Sequence, residues 1–189
     1  TSGTGVQTRD GWLLHTLVNL NNGLHIFGSK DHGKSWFLID VPIEVGDESK
    51  IIELADGTWM INSRVNRGGK RYLHFSDDRG QSWESREAHD LTDPGNNAGL
   101  VTYTITRDGQ DHELLLFSNT NDAGDRRNLT IKYSEDGGRT WSAGKTIYAG
   151  SAAYSDMTVL DNGLIGLFFE RDDYTRNTFV RFSIDWLMK

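Results

Sequence analysis

Thiols, imidazoles and carboxylates are the side chains that most often attack substrates or hold metals, and few of them are grouped usefully here. The chain has no cysteine, which removes thiol nucleophiles, disulfides and cysteine-ligated zinc. Its six histidines are scattered, without HExxH or similar spacing, so a histidine metal site has no support. Three aspartates recur in one setting: Ser29-Lys30-Asp31-His32-Gly33-Lys34-Ser35-Trp36, Ser76-Asp77-Asp78-Arg79-Gly80-Gln81-Ser82-Trp83 and Ser134-Glu135-Asp136-Gly137-Gly138-Arg139-Thr140-Trp141. All fit S-x-D-x-G-x-[ST]-W, and a catalytic group is not needed three times. The bland chemistry suffices: Asp accepts from backbone N–H groups across a turn, Gly takes a positive φ, and Trp packs between neighbouring sheets. We read Asp31, Asp78 and Asp136 as structural.

The elements around these motifs are strands. No stretch of a dozen residues keeps helical apolar spacing behind a cap. Short β-rich runs recur instead, at 12–20, 24–28, 51–55, 58–63, 71–76, 100–106, 113–118, 129–133, 157–160, 164–170 and 178–182. Asp10-Gly11, Asn22-Gly23, Asp56-Gly57, Asp108-Gly109 and Asn162-Gly163 lie between or beside them, and such dipeptides favour tight hairpins. The three motifs start 47 and 58 residues apart, near the period of four-stranded propeller blades. The chain reads as all-β, a succession of antiparallel hairpins.

Bulk properties narrow the function classes. A length of 189 residues allows one large domain or two small ones. The net charge of −7 argues against a nucleic-acid partner, yet it is compatible with a local cationic pocket. No apolar run approaches the roughly 18–20 residues of a membrane helix, so no membrane span is expected. The start, Thr1-Ser2-Gly3-Thr4-Gly5, carries no targeting segment and looks like an internal cut, with any export signal upstream.

The three motifs are similar to the Asp boxes (bacterial neuraminidase repeats) of the sialidase family. Other segments add to the resemblance: Gly3-Thr4-Gly5-Val6 before Asp10-Gly11, and Glu48-Ser49-Lys50-Ile51-Ile52-Glu53-Leu54-Ala55-Asp56-Gly57 running to Asn62-Ser63-Arg64. Phe117-Ser118-Asn119 with Arg126-Arg127-Asn128-Leu129-Thr130 also matches, as does Ala153-Tyr154-Ser155 with a run from Asp161 to Glu170. The resemblance implies a six-bladed β-propeller of which residues 1–189 supply about four blades, as its carboxyl-terminal portion. The last blade, from about Ser155, would carry only a degenerate box at 183–185. Its outer strand would come from the other end of the complete ring, and the piece alone would leave open edges.

The substrate implied is a terminal sialic acid, whose anomeric carbon bears a carboxylate. The family clamps that anion with three arginines, through paired hydrogen bonds that lysine does not copy. Arg64, 16 residues after Glu48, and Arg126, two before Asn128, match two of the three, with Arg127 the nearest competitor. Tyr154 would be the nucleophile, since a neutral phenol avoids the repulsion that a carboxylate nucleophile would meet. A phenol with a pKa of about 10 needs a base to take its proton. Glu48 is the matching partner; Glu44, Asp47 and Glu53 are its neighbours, and Glu53 reads as structural. Asn97 is a candidate substrate-lining residue, and Glu170 a supporting one near the arginines. The third arginine and the Asp that acts as general acid/base belong to early segments without a match here.

The resemblance thus implies a retaining exo-α-sialidase acting on sialylated glycans, completed by propeller blades upstream and inactive as the 189-residue piece alone. A trans-sialidase would use the same residues. A non-catalytic sialic-acid-binding propeller would keep the arginines and lack the acid/base. A purely structural propeller is disfavoured by Glu48, Arg64, Arg126 and Tyr154 occurring together. No cofactor or metal is required, and substrate access points to a secreted, periplasmic or cell-surface location.

Overall fold

Adjacent apolar residues such as Ile51-Ile52 and the quartet from Leu114 to Phe117 mark strands buried on both faces. The computed structural model describes residues 2–19, 21 and 23–189. Leu20, closing the predicted run 12–20, and Asn22 of the Asn22-Gly23 turn lie outside the described residues, as does Thr1. β1 (Val6–Gln7), β2 (Leu13–Asn19), β3 (Gly23–Ser29) and β4 (Phe37–Ile43) form one antiparallel sheet. β5 (Ser49–Glu53), β6 (Trp59–Ser63), β7 (Gly69–Ser76) and β8 (Glu84–Asp93) form a second. β9 (Gly99–Arg107), β10 (Gln110–Thr120), β11 (Arg127–Ser134), β12 (Lys145–Val159), β13 (Ile165–Arg171) and β14 (Arg176–Phe182) form a third sheet of six strands.

The six-stranded sheet is two blades sharing β12. Residues 145–151 of that strand pair with β11, and residues 152–159 pair with β13. The array is therefore three four-stranded blades followed by one of three strands, as the resemblance implies. The leading strands of successive blades adjoin one another, β1 and β2 with β5, β5 with β9 and β9 with β12, giving a radial arrangement.

Each gap between blades is filled by its own core, and alternate side chains of one strand serve different gaps. Ile51 and Ile61 join Leu14, Leu24 and Ile26 in the first core. Ile52 and Met60 turn the other way, toward Leu100, Leu115 and Phe117. Leu114 and Leu116 then meet Met157, Ile165 and Leu167 in the third. This explains the missing period-two alternation in the inner strands. At the two ends of the array apolar side chains remain exposed, Leu17 and Leu38 on the first blade and the cross-strand pair Phe168 and Phe179 on the last.

The repeated aspartates act as turn staples. Asp31 accepts from the Ser35 amide (2.8 Å) and hydroxyl (2.6 Å), and Ser29 Oγ donates to it at 2.8 Å. Asp78 and Asp136 make the same three bonds with Ser82 and Ser76, and with Thr140 and Ser134. Trp141 packs between sheets on Phe117, but Trp36 is 53% exposed, so the intersheet role expected of each box tryptophan fails in the first box. The degenerate box is no box: Ser183 instead caps a five-residue helix, α1 (Ile184–Met188), by accepting from the Trp186 amide.

Asp108 (φ 52°) and Gly109 (φ 75°) close the β9–β10 hairpin as a two-residue turn of left-handed residues. Sequence patterning missed the two-residue β1 and three strands directly after the boxes: β4, β8 and the first half of β12. These three are the outermost strands of their blades; in β8 the run Glu84-Ser85-Arg86-Glu87 lacks an apolar face to read, whereas β4 opens on an apolar run, Phe37-Leu38-Ile39, without alternation. No helix among the described residues is long and apolar enough to cross a membrane.

One buried group makes stability pH-dependent. His74 on β7 is fully buried, its Nδ1 lies 2.7 Å from Ser85 Oγ, and burial pushes its pKa down to about 4. The folded chain thus resists a proton that the unfolded chain binds below about pH 6.5, so stability is complete above that pH and falls as pH drops toward 4. The expected loss is about 3 kcal/mol. Denaturant titrations at pH 7.5, 5.5 and 4 measure it, and a flat profile in the wild type, or an equal fall in His74→Gln, would refute the assignment.

Candidate functional site

Glu48 and Arg64 meet because of hairpin register. Ser49 pairs with Ser63 at the end of the β5–β6 ladder, so the residues one step beyond, Glu48 and Arg64, face each other. The Arg64 amide donates to the Glu48 carbonyl at 3.3 Å, and Arg64 Nη1 donates to Glu48 Oε2. The 16-residue spacing is thus the length of the hairpin. Tyr154 comes from the other end of the array, on β12, within the register shift between Ala152 and Ser155. Such irregularities re-aim a side chain out of the strand's alternation. The Tyr154 amide donates to Glu170 Oε2 at 3.1 Å, which fixes the shifted backbone and gives Glu170 its supporting role.

Arg126 precedes a second irregularity. Asn128 adopts a left-handed φ of 58°, and the β11–β12 register shifts between Arg127 and Leu129. Arg126 and Arg127 consequently diverge. Arg127 pairs with Asp122 at 2.7 Å and with Asp125 at 3.6 Å. Arg126 instead places its guanidinium carbon 5.7 Å from the centroid of the Tyr154 ring. Of the two candidates, Arg126 is the one beside Tyr154.

The four residues form one cluster. Arg64 Nη1 touches Tyr154 Oη at 3.2 Å as well as the Glu48 carboxylate, and Arg64 Nε is buried without a hydrogen-bond partner among the described residues. Arg126 is held by neutral oxygens only, Tyr174 Oη at 2.7 Å and the Gly95 carbonyl at 3.3 Å; no carboxylate pairs with it among the described residues. Two guanidinium groups beside one phenol, with N–H groups left over, can receive a planar anion. Burial pushes the Tyr154 pKa up, Glu48 pushes it the same way, and Arg64 opposes both. The phenol is therefore neutral near pH 7 and must lose its proton to act as a nucleophile. Burial pulls the Arg64 guanidinium down, but Glu48 and Tyr154 outweigh it.

The motif residues beside the cluster hold the blades in place beneath it. Ser49 Oγ donates to Ser63 Oγ at 2.9 Å, and Ser118 Oγ lies 3.0 Å from Ser155 Oγ across the third and fourth blades. Arg71, wholly buried, donates to Asn62 Oδ1 (2.8 Å), the Asn96 carbonyl (2.6 Å) and Asp93 (3.4 Å), and Asn119 Nδ2 donates to Asp93 at 2.9 Å. Asn97 is buried, and its side-chain oxygen accepts from Lys50 Nζ (2.7 Å), Ser2 Oγ (3.2 Å) and the Ala98 amide (3.0 Å). No hydrogen bond joins it to the four clustered residues among those described. Glu53 binds the Arg9 amide at 2.7 Å, as a structural acid should.

Patterning missed Lys50, Arg71 and Tyr174. Lys50 is buried, which pushes its pKa down to about 8, and no sequence signal separates it from a surface lysine. Tyr174 ends three consecutive left-handed residues, Asp172 (φ 52°), Asp173 (φ 53°) and Tyr174 (φ 67°). Each such non-glycine residue costs about 1–3 kcal/mol, a conformation that residue type alone does not announce.

Comparison with known proteins identifies the family. The BNR repeat-like domain matches residues 2–167. A sialidase of Micromonospora viridifaciens is 35% identical over 98% of this chain and 30% of its own length. A sialidase of Bacteroides fragilis (strain YCH46) is 30% identical over 89% of this chain and 32% of its own. The chain thus spans about a third of the length of these relatives. The solved structure of the Hadza microbial sialidase Hz136 superposes with a TM-score of 0.83 at 29% identity, over 97% of this chain and 37% of that one. By its repeats, its blades and these relatives, the chain belongs to the sialidase family of BNR repeat proteins.

Proposed function

We propose that the cluster is the catalytic centre of a retaining exo-α-sialidase, and that the chain works as the carboxyl-terminal part of a longer propeller. The supporting observation is Arg64 Nη1 bonded to both Glu48 and Tyr154, with Arg126 over the Tyr154 ring. In the proposed reaction Arg64 and Arg126 bind the carboxylate of a terminal sialic acid. Tyr154 Oη attacks the anomeric carbon as Glu48 takes the phenol proton, and the bond to the leaving oxygen breaks. The departing oxygen takes a proton from a general acid. Water then attacks the glycosyl-tyrosine and gives its proton to the deprotonated general acid, Glu48 returns the proton to the phenol oxygen, and the configuration is retained.

The general acid and a third guanidinium are assigned to further blades. The exposed Leu17 and Leu38 at one end and Phe168 and Phe179 at the other support this, since equivalent faces inside the array are covered by neighbouring blades. The sialylated substrate argues for a secreted, periplasmic or surface location. The test is hydrolysis of a fluorogenic α-sialoside by the full-length protein that carries this chain, with the anomer of the first product followed by proton NMR. Release of the α-anomer is expected. The β-anomer as first product would exclude the tyrosyl intermediate, and binding of a sialic acid analogue without turnover would leave a carbohydrate-binding propeller.

A further inference from the structure

Arg126 differs from the other arginines of its neighbourhood in what holds it. Arg64 is paired with Glu48, Arg127 with Asp122 and Arg171 with Asp172, whereas Arg126 has only the Tyr174 phenol and the Gly95 carbonyl. A guanidinium fixed by neutral acceptors keeps its full charge for an incoming anion. Carboxylate partners would have fixed it equally well and cancelled that charge.

The chain goes to some length to deliver the phenol. Tyr174 lies at the end of the β13–β14 turn, whose Arg171 and Arg176 close the ladder. Both aspartates of the turn are tied down to β12. Tyr148 Oη donates to Asp172, the Asp172 amide donates to the Ser151 carbonyl at 2.9 Å, and Ser151 Oγ donates to Asp173 at 2.7 Å. Thr175 closes the turn on the Asp172 carbonyl at 2.6 Å. The result is three successive left-handed residues, at φ values where glycine or asparagine is the usual choice, and a 60% exposed tyrosine with its oxygen 2.7 Å from Arg126 Nη1. Arg126, Arg171, Ser151, Asp173 and Tyr174 line an open cleft of about 400 Å³ between the third and fourth blades. Without the phenol, the Arg126 side chain has room to swing into this cleft, away from Tyr154.

We infer that Tyr174 is a positioning residue for the anion site: its phenol oxygen holds the Arg126 guanidinium over Tyr154 in the orientation that receives the substrate carboxylate. The inference rests on the proposed carboxylate clamp and names a residue on which that clamp depends. It assigns Tyr174 no part in bond making, so its removal should act on carboxylate recognition and leave the nucleophile intact.

The test compares two probes on the full-length protein, the 2,3-unsaturated analogue of sialic acid and its methyl ester, which carries no negative charge. Tyr174→Phe keeps the ring and the turn and removes one oxygen from an exposed position. It is expected to weaken the free acid by about tenfold, the usual scale for a hydrogen bond to a charged group, while the ester changes by less than about twofold. With a sialoside substrate, KM should rise by a similar factor and kcat should change little. Equal weakening of acid and ester would mean a general structural role and overturn the inference. A wild-type preference for the acid that survives intact in Tyr174→Phe would overturn it too, leaving the clamp standing. A wild type indifferent to the ester would overturn the clamp itself, which separates failure of the parent reading from failure of this one. Tyr174→Asn, which suits the left-handed φ but is too short to reach Arg126, should reproduce the loss for the acid; retention of acid binding there would equally count against Tyr174.

Discussion

Tyr154→Phe lowers sialoside turnover by on the order of 10³-fold or more, while binding of a carboxylate-bearing analogue shifts by less than about threefold. The phenol oxygen is the only atom removed; it accepts from Arg64 Nη1 at 3.2 Å and interacts with the Glu48 carboxylate. Arg64 keeps its bond to Glu48, so the anion receptor survives the substitution. What disappears is the atom that the proposed mechanism joins to the anomeric carbon. Glu48→Gln should fall in the same class, because the phenol's raised pKa leaves it inert without a base. Two groups that act as one unit lose activity non-additively, so the double variant should be no worse than the poorer single one. Steady-state kinetics with a fluorogenic sialoside, beside calorimetric binding of the analogue, decides the matter. Retention of more than a tenth of wild-type kcat in Tyr154→Phe would remove the nucleophile assignment.

The second large effect is on stability. Arg71→Met should lower the unfolding free energy by about 3–5 kcal/mol, the range for breaking a buried ion pair from one side. Arg71 and Asp93 are both wholly buried, and the guanidinium also satisfies Asn62 Oδ1 and the Asn96 carbonyl. Removing it strands the Asp93 charge with only the Gly95 and Asn96 amides and Asn119 Nδ2 as donors. Arg71→Met with Asp93→Asn removes both charges and should recover part of the loss. Urea titrations of the four proteins in this cycle measure the coupling, and a single-variant loss under about 1 kcal/mol would show that the pair is dispensable. Because Gly95 and Asn96 hang from Asp93, and Arg126 donates to the Gly95 carbonyl, damage here should also loosen the anion site.

The inner strands were legible because burial on both faces writes itself as apolar pairs and quartets, as at Ile51-Ile52 and Leu114 to Phe117. The strands following the boxes were not: β8 opens on polar residues without a period, and β4 on an apolar run, Phe37-Leu38-Ile39, without alternation. The hairpin spacing of Glu48 and Arg64 was open to reading, since their pairing is a matter of register. The choice between Arg126 and Arg127 rests on the resemblance; that the two side chains diverge follows from the left-handed Asn128, a backbone irregularity that residue types do not encode. Tyr174 was invisible for the same reason, since its role depends on a strained turn and on a neighbour 48 residues away. Asn97 was assigned to the substrate by position, and its contacts tie it to Lys50 and Ser2 instead.

The strand shared by the third and fourth blades sets an order of melting. β14, with a single neighbour, can fray without disturbing the rest. β12 cannot, because its first half is sewn to β11 and its second half to β13, and to release it both ladders must open together. Tyr154 sits beside the junction of the two halves, on the strand that both blades hold, with its amide bonded to Glu170 on β13. Its amide should therefore exchange more slowly than those of the fraying β14.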